Sequence, residues 1–227
     1  MADRSAAVRV GRQPFASPEQ RLRVEVADHI RSEIFAGRMK RGSRVDQDGV
    51  ASSLGLSRLP VREALILLER EGLIVFRPRR GAFVADLTED DLVDHFELLA
   101  LIRGYATMRY APVSAEETAV RMDLWERLME GRGDERAIDD QLVAMAERGM
   151  TQRLKLEIDR LAPMMLAAWR VVSSDGVAHA ELQLMRDQLT ALQAGDRVRA
   201  GEITAEAIRR YGRHVIERLR SQGFFAG

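Results

Sequence analysis

The chain of 227 residues contains 35 basic and 35 acidic residues and no cysteine. This length suffices for two ordinary domains, each with its own core. The absence of cysteine excludes a disulfide framework and thiolate chemistry, which favours a reducing, cytoplasmic location. No run of about 18 apolar residues occurs, so we expect neither a membrane span nor a secretory signal.

The neutral total hides an uneven distribution of charge. Residues 1–85 contain 16 Lys and Arg against 10 Asp and Glu, whereas the remaining residues contain 19 against 25. A basic first part and an acidic second part indicate that the first contacts phosphates and the second has another task. Residues 1–16 are predicted to form a flexible tail.

A helix is predicted directly after this tail. Ser17 is a suitable N-cap, Pro18 fits the first helical position and Gln20 completes a capping box. Apolar residues then recur every four positions, at Leu22, Val26, Ile30 and Ile34. A short second helix is predicted over residues 46–54, followed by the turn Gly55-Leu56-Ser57.

The third predicted helix begins at this turn, with Ser57 as its N-cap. Pro60 falls within its first turn, where a missing N–H costs nothing. Arg58 and Arg62 lie one turn apart on one face. The opposite face is apolar, with Val61, Ala64, Leu65 and Leu68. The sequences "LIVFR" and "AFVA" then predict two short strands joined by Pro78-Arg79-Arg80-Gly81.

Two groups of arginines in this region indicate DNA binding. The N-terminal residues of the second helix of a helix-turn-helix lie nearest the base edges of the major groove, and Arg58 and Arg62 occupy that end. The arginine fork donates two hydrogen bonds to guanine or to a phosphate. Arg79, Arg80 and Gly81 form the tip of a wing that would contact the minor groove or the backbone. The alternatives are a solvated helix face and a charged hairpin tip that prevents edge pairing.

Strand signals disappear after Leu87, and helix caps and apolar periodicity take over. They predict about six antiparallel helices, at approximately 88–110, from 114, from 134, and at 151–173, 177–194 and 197–220. We therefore predict a mainly α chain with three parts. These are the tail at 1–16, a winged helix-turn-helix DNA-binding domain at 17–85 and an all-helical effector-binding and dimerisation domain at 86–227.

The segment "ASSLGLSRLPVREALILLEREGLIVFRPRRGAFV", preceded by "GRMKRG", closely resembles the winged helix of GntR-type bacterial transcription regulators. The resemblance is to the FadR-like subfamily, whose second domain is the FCD ligand-binding bundle. It implies a homodimeric repressor that binds a palindromic operator in double-stranded DNA and is controlled by a small metabolite. The residues expected to contact DNA are Ser57, Arg58, Leu59, Arg62, Arg79, Arg80, Gly81 and Arg44. Leu59 departs from the family, which usually has threonine there.

The resemblance also bears on metal binding. The family's bundle usually holds a divalent metal through one aspartate and three histidines. Asp139 matches the aspartate, whereas Val143, Met185 and Ala207 stand at the histidine positions and cannot bind a metal. No metal cofactor is therefore expected at this place. A metal site elsewhere in the chain, formed by His179 and His214, is kept as an alternative.

The same comparison predicts an apolar effector pocket. On the first helix of the bundle, the apolar run from Leu98 to Ile102 replaces a polar family motif. The predicted lining is Leu98, Ile102, Asp139, Val143, Met185 and Ala207. In the alternative, this part of the chain only dimerises and binds no effector. Catalysis is not expected, because no Ser-His, Cys-His or metal-ligand spacing is present.

Overall fold

The computed structural model describes residues 17–111, 114–130, 132–133, 135–172 and 175–225. Within its helices, residues 128–129, 135–137, 139–140, 143, 166–172 and 175–182 are described as backbone alone. The predicted tail at residues 1–16 lies outside the described residues.

The N-terminal part has the predicted order of helix, helix, turn, helix and hairpin. Its elements are α1 (Pro18–Phe35), α2 (Gln47–Ser53), α3 (Arg58–Arg70), β1 (Ile74–Arg77) and β2 (Gly81–Val84). The Ser17 capping box with Gln20 is present, and Asp46 caps α2 by accepting a hydrogen bond from the Gly49 N–H at 3.0 Å. Ser57 occupies the N-cap position of α3, but its side chain makes no capping hydrogen bond.

Residues 42–45 pair with the hairpin through an isolated bridge between Arg44 and Phe83, which the sequence did not predict. β1 and β2 pair in antiparallel register from Ile74 opposite Val84 to Arg77 opposite Gly81. Residues 42–45 extend along the other edge of β2, where the Val45 N–H donates to the Ala82 carbonyl at 2.9 Å and the Val84 N–H donates to the Ser43 carbonyl at 2.9 Å. The hydrogen-bonding groups of β2 are therefore used on both sides, which fixes the base of the wing.

The remaining described elements are all helices, as predicted. They are α4 (Glu89–Tyr110), α5 (Ala115–Met129), α6 (Glu135–Glu147), α7 (Gln152–Val172), α8 (Asp175–Gln193) and α9 (Arg197–Ser221). Thr88 forms the expected capping box with Asp91 on α4, and Ser114 accepts a hydrogen bond from the Glu117 N–H at 3.1 Å on α5. The predicted capping residue Asp134 lies outside the described residues. None of the described helices is both long and apolar enough to cross a bilayer.

The helices α4 and α9 pack closely along most of their length. A methyl group on Gly201 would lie 2.7 Å from the carbonyl oxygen of Gly104, and one on Gly104 would lie 2.9 Å from the carbonyl oxygen of Gly201. Two glycines thus let the helix backbones approach more closely than side chains would allow. Bidentate pairs from Arg209 to Glu97, at 2.6 and 2.7 Å, and from Arg220 to Glu89 add contacts at the edge.

One apolar core continues from the winged helix into the helical part. It contains buried residues of α1, α3 and the hairpin together with Leu92, Phe96 and Leu99 of α4 and Tyr211, Val215 and Leu219 of α9. The predicted boundary between residues 85 and 86 lies in the segment that joins β2 to α4. The winged helix and the helical part therefore share buried apolar side chains across this boundary.

Candidate nucleic-acid interface

The turn between α2 and α3 directs the start of α3 outwards. Gly55 has a φ of +65°, a left-handed value that suits glycine, and the Leu56 N–H donates to the Ala51 carbonyl at 2.9 Å. The apolar face of α3 then packs against α1, with Val61, Ala64, Leu65 and Leu68 fully buried. The opposite face, which includes Arg58, Leu59 and Arg62, is exposed to solvent.

The side chain of Arg58 is 76% exposed and forms an ion pair through Nε with the Asp48 carboxylate on α2. Asp48 is itself 60% exposed. An exposed pair of this kind contributes about 0–1 kcal/mol to stability, so a phosphate or a guanine can replace the carboxylate. Arg62 makes no hydrogen bond or ion pair with any described residue. The guanidinium groups of both arginines are therefore accessible to a duplex.

Leu59 projects from the same end of α3 and is 64% exposed. A large apolar side chain in this position adds nothing to the core. It can contact the methyl group of thymine, which the major groove presents to the recognition helix. The departure from threonine therefore changes a contact at the surface and leaves the packing of α3 unchanged.

The tip of the wing carries two exposed arginines on a strained turn. Arg79 has a φ of 60°, and it is the one non-glycine residue with positive φ among the described residues. The Arg80 N–H donates to the Arg77 carbonyl at 3.0 Å and closes the turn, and Gly81 follows with a φ of +93°. A left-handed conformation costs a non-glycine residue about 1–2 kcal/mol. An arginine kept at such a position indicates that its charge serves a purpose other than folding.

Two further arginines lie beside this tip. The Arg77 guanidinium lies over the Phe83 ring, 4.3 Å from its centroid, and this cation–π contact holds the side chain against the wing. The backbone of Arg44 forms an isolated β-bridge with Phe83, and a methyl group on Gly81 would lie 3.5 Å from the Arg44 Nε. The sequence could not place Arg44 on the wing, because one bridged residue shows no alternation of apolar and polar side chains.

A buried ion pair, which the sequence analysis missed, fixes α3 and the wing relative to α1. Arg31 is 2% exposed and donates from Nε and Nη2 to the Glu71 carboxylate at 2.7 and 2.5 Å, and from Nη1 to Asp28 at 2.5 Å. Burial opposes its charge, but the hydrogen bonds that it donates to Glu71 and Asp28 raise the pKa of Arg31 above its ordinary value. The sequence signal was an arginine one turn from both Ala27 and Ile34, inside the apolar stripe of α1.

Those residues of the predicted effector pocket whose side chains the structure describes lie in different surroundings. Leu98 is 52% exposed on the surface of α4. Ile102 packs against the buried residues Ala106, Ile158 and Ala162, whereas Met185 packs against a different apolar cluster around Leu189 and Leu192. Ala207 is half-buried on α9. The side chains of Asp139 and Val143 lie outside the described residues, and the pocket stays a prediction.

Among the described side chains, no group of three or more His, Asp or Glu residues is arranged to hold a metal ion. The side chain of His179 lies outside the described residues, and His214 is half-buried on α9. His95 is buried, with its Nε2 2.9 Å from the Leu161 carbonyl, and burial lowers its pKa. A neutral imidazole that donates to a backbone carbonyl is a structural group between α4 and α7.

Comparison with known proteins identifies the N-terminal part. Residues 22–84 match the family model described as "Bacterial regulatory proteins, gntR family". The N-terminal domain is a GntR winged helix-turn-helix. The matched range begins in α1 and ends at the last residue of β2, so it contains α3, the wing and the bridged segment at residues 42–45.

Relatives of the chain are named as transcriptional regulators or repressors. An uncharacterized HTH-type transcriptional regulator of Mycobacterium tuberculosis is 33% identical over 113 residues, which are 50% of this chain and 46% of that protein. The gluconate operon transcriptional repressor of Bacillus subtilis is 31% identical over 93 residues, which are 41% of this chain and 38% of that protein. The chain thus spans less than half the length of these relatives.

Two solved structures share the fold over most of the chain. McbR/YncC of E. coli has a TM-score of 0.61 and 22% identity, with 92% of this chain and 99% of that chain covered. A GntR transcriptional regulator from Rhodococcus sp. has a TM-score of 0.56 and 20% identity, with 86% and 97% covered. Identities this low establish the fold alone.

Proposed function

We propose that this chain is a sequence-specific, DNA-binding transcription regulator, and that it acts as a repressor. The observation that carries the proposal is the exposed end of α3, where Arg58 and Arg62 project into solvent behind the helix-turn-helix turn. The basic wing with Arg79 and Arg80 belongs to the same GntR domain. In this arrangement α3 enters the major groove, and the wing contacts the adjacent backbone or minor groove.

The proposal includes a homodimer on a palindromic operator. One winged helix reads only a few base pairs, and a two-fold dimer reads two half-sites and gains affinity by linkage. The surface of α4 supports self-association, because Leu98, Leu101 and Tyr105 lie at i, i+3 and i+7 and are 52%, 53% and 48% exposed. A stripe of three large apolar side chains on one helix face suits contact with a second copy.

The proposal also assigns effector binding to helices α4–α9, in the manner of an FCD domain. The continuous core and the long α9 support this, since they connect the interior of the helical part to α1 and α3. One relative is named as a repressor of a gluconate operon. Sugars and sugar acids are therefore the first compounds to test.

The DNA-binding part of the proposal is tested by selecting fragments bound by the full chain from its source genome, followed by footprinting and light scattering. We expect a symmetric protected element, two chains per operator and an affinity that falls steeply with salt, because several phosphate contacts release counterions. An Arg213→Ala variant is the control, since Arg213 is exposed on α9 and pairs with Glu206. An asymmetric footprint, or an affinity that is insensitive to salt, would refute the proposal.

The effector part is tested separately by thermal unfolding of the chain with a panel of sugars and sugar acids. A ligand at 100 times its dissociation constant stabilises the folded chain by about 2.7 kcal/mol. We expect the same ligand to release the chain from its operator. If no compound shifts the unfolding transition while operator binding is normal, the helical part serves dimerisation alone.

A further inference from the structure

Two arginines are buried among the side chains that the structure describes, and their surroundings differ. Arg31 is 2% exposed and all three of its described donor groups reach carboxylates. Arg121, on α5, is 8% exposed, and its Nε is buried without an acceptor among the described residues. Leaving a buried N–H group of a cation without an acceptor is costly, so an anion that supplied the acceptor would stabilise this arrangement.

The nearest described carboxylate does not satisfy Arg121. Glu117, one turn earlier on α5, acts on Arg121 through its charge alone, and its oxygens are engaged by Arg148 and by the Ser114 hydroxyl at 3.3 Å. Burial lowers the pKa of Arg121, with Glu117 opposing this effect, whereas the pKa of Arg31 is raised. The Nε of Arg121 is thus a buried hydrogen-bond donor without an acceptor among the described residues, and a bound anion would supply one.

A second buried polar atom without a partner lies on the neighbouring helix. Gln188, on α8, is 6% exposed, and its Oε1 has no donor among the described residues. Its Nε2 donates to the Thr204 hydroxyl at 2.5 Å, and Thr204 lies 3.1 Å from the Thr107 hydroxyl. The amide is therefore fixed between α8, α9 and α4, and its free oxygen can accept a hydrogen bond from a ligand.

The helices that carry these two residues pack against each other. Met122, which follows Arg121, contacts the apolar cluster that contains Leu189, which follows Gln188. Thr118 and Leu124, one turn before and after Arg121, are also buried, so Arg121 lies on the inward face of α5. A ligand between these helices would meet a cationic fork and a neutral acceptor.

We propose that Arg121 is the anion-binding residue of a ligand site inside the helical part, and that Gln188 accepts a hydrogen bond from a hydroxyl group of the same ligand. The ligand class is a small oxyanion that carries hydroxyl groups, with either a carboxylate or a phosphate as the charged group. This inference rests on the proposed effector control and names the residues and the chemistry of that control. Here a guanidinium supplies the positive charge, and the anion binds without a metal ion.

The test uses the full chain and three substitutions. Arg121→Met removes the charge, Gln188→Leu removes the acceptor, and Arg186→Met on α8 is the matched control, because Arg186 is 52% exposed and pairs with Glu126. Thermal unfolding and titration calorimetry are recorded with sodium acetate, inorganic phosphate, sodium D-gluconate and neutral D-glucose. Acetate and phosphate distinguish the two anion sources, and gluconate adds hydroxyl groups to a carboxylate.

Without added anion, we expect Arg121→Met to unfold at a higher temperature than the wild type, because methionine removes an unpaired buried charge. We expect gluconate or phosphate to stabilise the wild type and Arg186→Met against thermal unfolding. Arg121→Met should bind these anions on the order of a hundredfold more weakly than the wild type does. Gln188→Leu should weaken gluconate binding and leave acetate or phosphate binding unchanged. Glucose should have no effect.

The inference is overturned if none of the three anions stabilises the wild type, or if Arg121→Met binds them as tightly as the wild type does. It is also overturned if Arg121→Met is less stable than the wild type and retains anion binding, since Arg121 would then have a structural partner. If the wild type binds the anions but no operator sequence can be found, the proposed regulator is refuted and the anion site is retained. If the wild type binds its operator normally but binds none of the three anions, only the anion site is refuted.

Discussion

At the scale of single residues, Arg79 places a positive charge at the tip of the wing in a backbone conformation that lowers the stability of the fold. Its φ of 60° costs about 1–2 kcal/mol, whereas glycine would adopt this value freely and lose about 0.5–1 kcal/mol of chain entropy on folding. We therefore expect Arg79→Gly to raise the free energy of unfolding by about 0.5 kcal/mol. The same variant should bind DNA more weakly, with its salt slope reduced by about 1.

Arg79→Ala separates the two effects, because alanine removes the charge and keeps the strained backbone. It should lose as much DNA affinity as Arg79→Gly without any gain in stability. Urea unfolding and salt-dependent binding measure the two quantities. An unchanged salt slope in both variants would show that Arg79 does not contact a phosphate.

The exposure of some candidate residues could be predicted from the sequence, and the burial of others could not, for identifiable reasons. Arg58 and Arg62 were predictable, because their spacing and the turn before them fix their face on α3. Arg31 was missed because its partner Glu71 is 40 residues away in the sequence, and periodicity carries no information on such a contact. Arg121 was missed as well, since an arginine within a helix is ordinarily exposed and only three-dimensional packing reveals its burial.

At the scale of secondary-structure elements, the helix starts were predictable where a capping residue is local. Ser17, Asp46, Thr88, Ser114 and Asp196 each accept a hydrogen bond from a backbone N–H three residues later. One helix start was inaccurate, because α8 begins at Asp175, two residues before the predicted start, with Gly176 inside it. The pairing of residues 42–45 with β2 was not predicted at all.

The junction of α4, α6 and α7 contains a carboxylate that opposes folding at neutral pH. Burial, together with the charge of Glu147, raises the pKa of Asp159 from 3.8 to about 6, although Arg103 and Lys155 act in the opposite direction. The folded chain therefore binds a proton that the unfolded chain releases. The cost of ionised Asp159 is present above pH 6 and disappears as the pH falls towards 3.8.

We expect Asp159→Asn to remove this cost. The variant should be more stable than the wild type at pH 7 by about 1 kcal/mol, after allowance for solvent screening of a half-exposed group. The difference should shrink as the pH is lowered from 7 to 4. Urea unfolding of both proteins at several pH values gives the difference directly, and a difference that is independent of pH would contradict the assignment.

At the scale of the whole molecule, the segment after α9 connects the helical part to the winged helix. Phe224 stacks on Phe35 of α1 with ring centroids 6.1 Å apart. Arg41 lies 5.7 Å from the centroid of the Phe224 ring and donates to the Phe225 carbonyl at 3.0 Å and to the Leu87 carbonyl at 2.7 Å. Arg41 therefore connects the segment between α1 and α2 with the segment before α4 and with the residues after α9.

We expect Phe224→Ala to destabilise the chain by about 2 kcal/mol, roughly half the cost of truncating a fully buried phenylalanine. Leu156→Ala is the control, because Leu156 is a large apolar residue of α7 that is 57% exposed. Loss of the contact should also make urea unfolding less cooperative, as the winged helix separates from the helices. Equal stabilities of the two variants would show that the contact contributes nothing to folding.

We propose that the guanidinium groups at the start of α3 read bases in the major groove. This is tested by selection of preferred sequences from a random duplex library by the wild type, by Arg58→Ala and by the control Arg213→Ala. We expect Arg58→Ala to lose discrimination at one base step in each half-site by about 1–3 kcal/mol, and Arg213→Ala to select the wild-type sequence. Selection of an unchanged sequence by Arg58→Ala would contradict it.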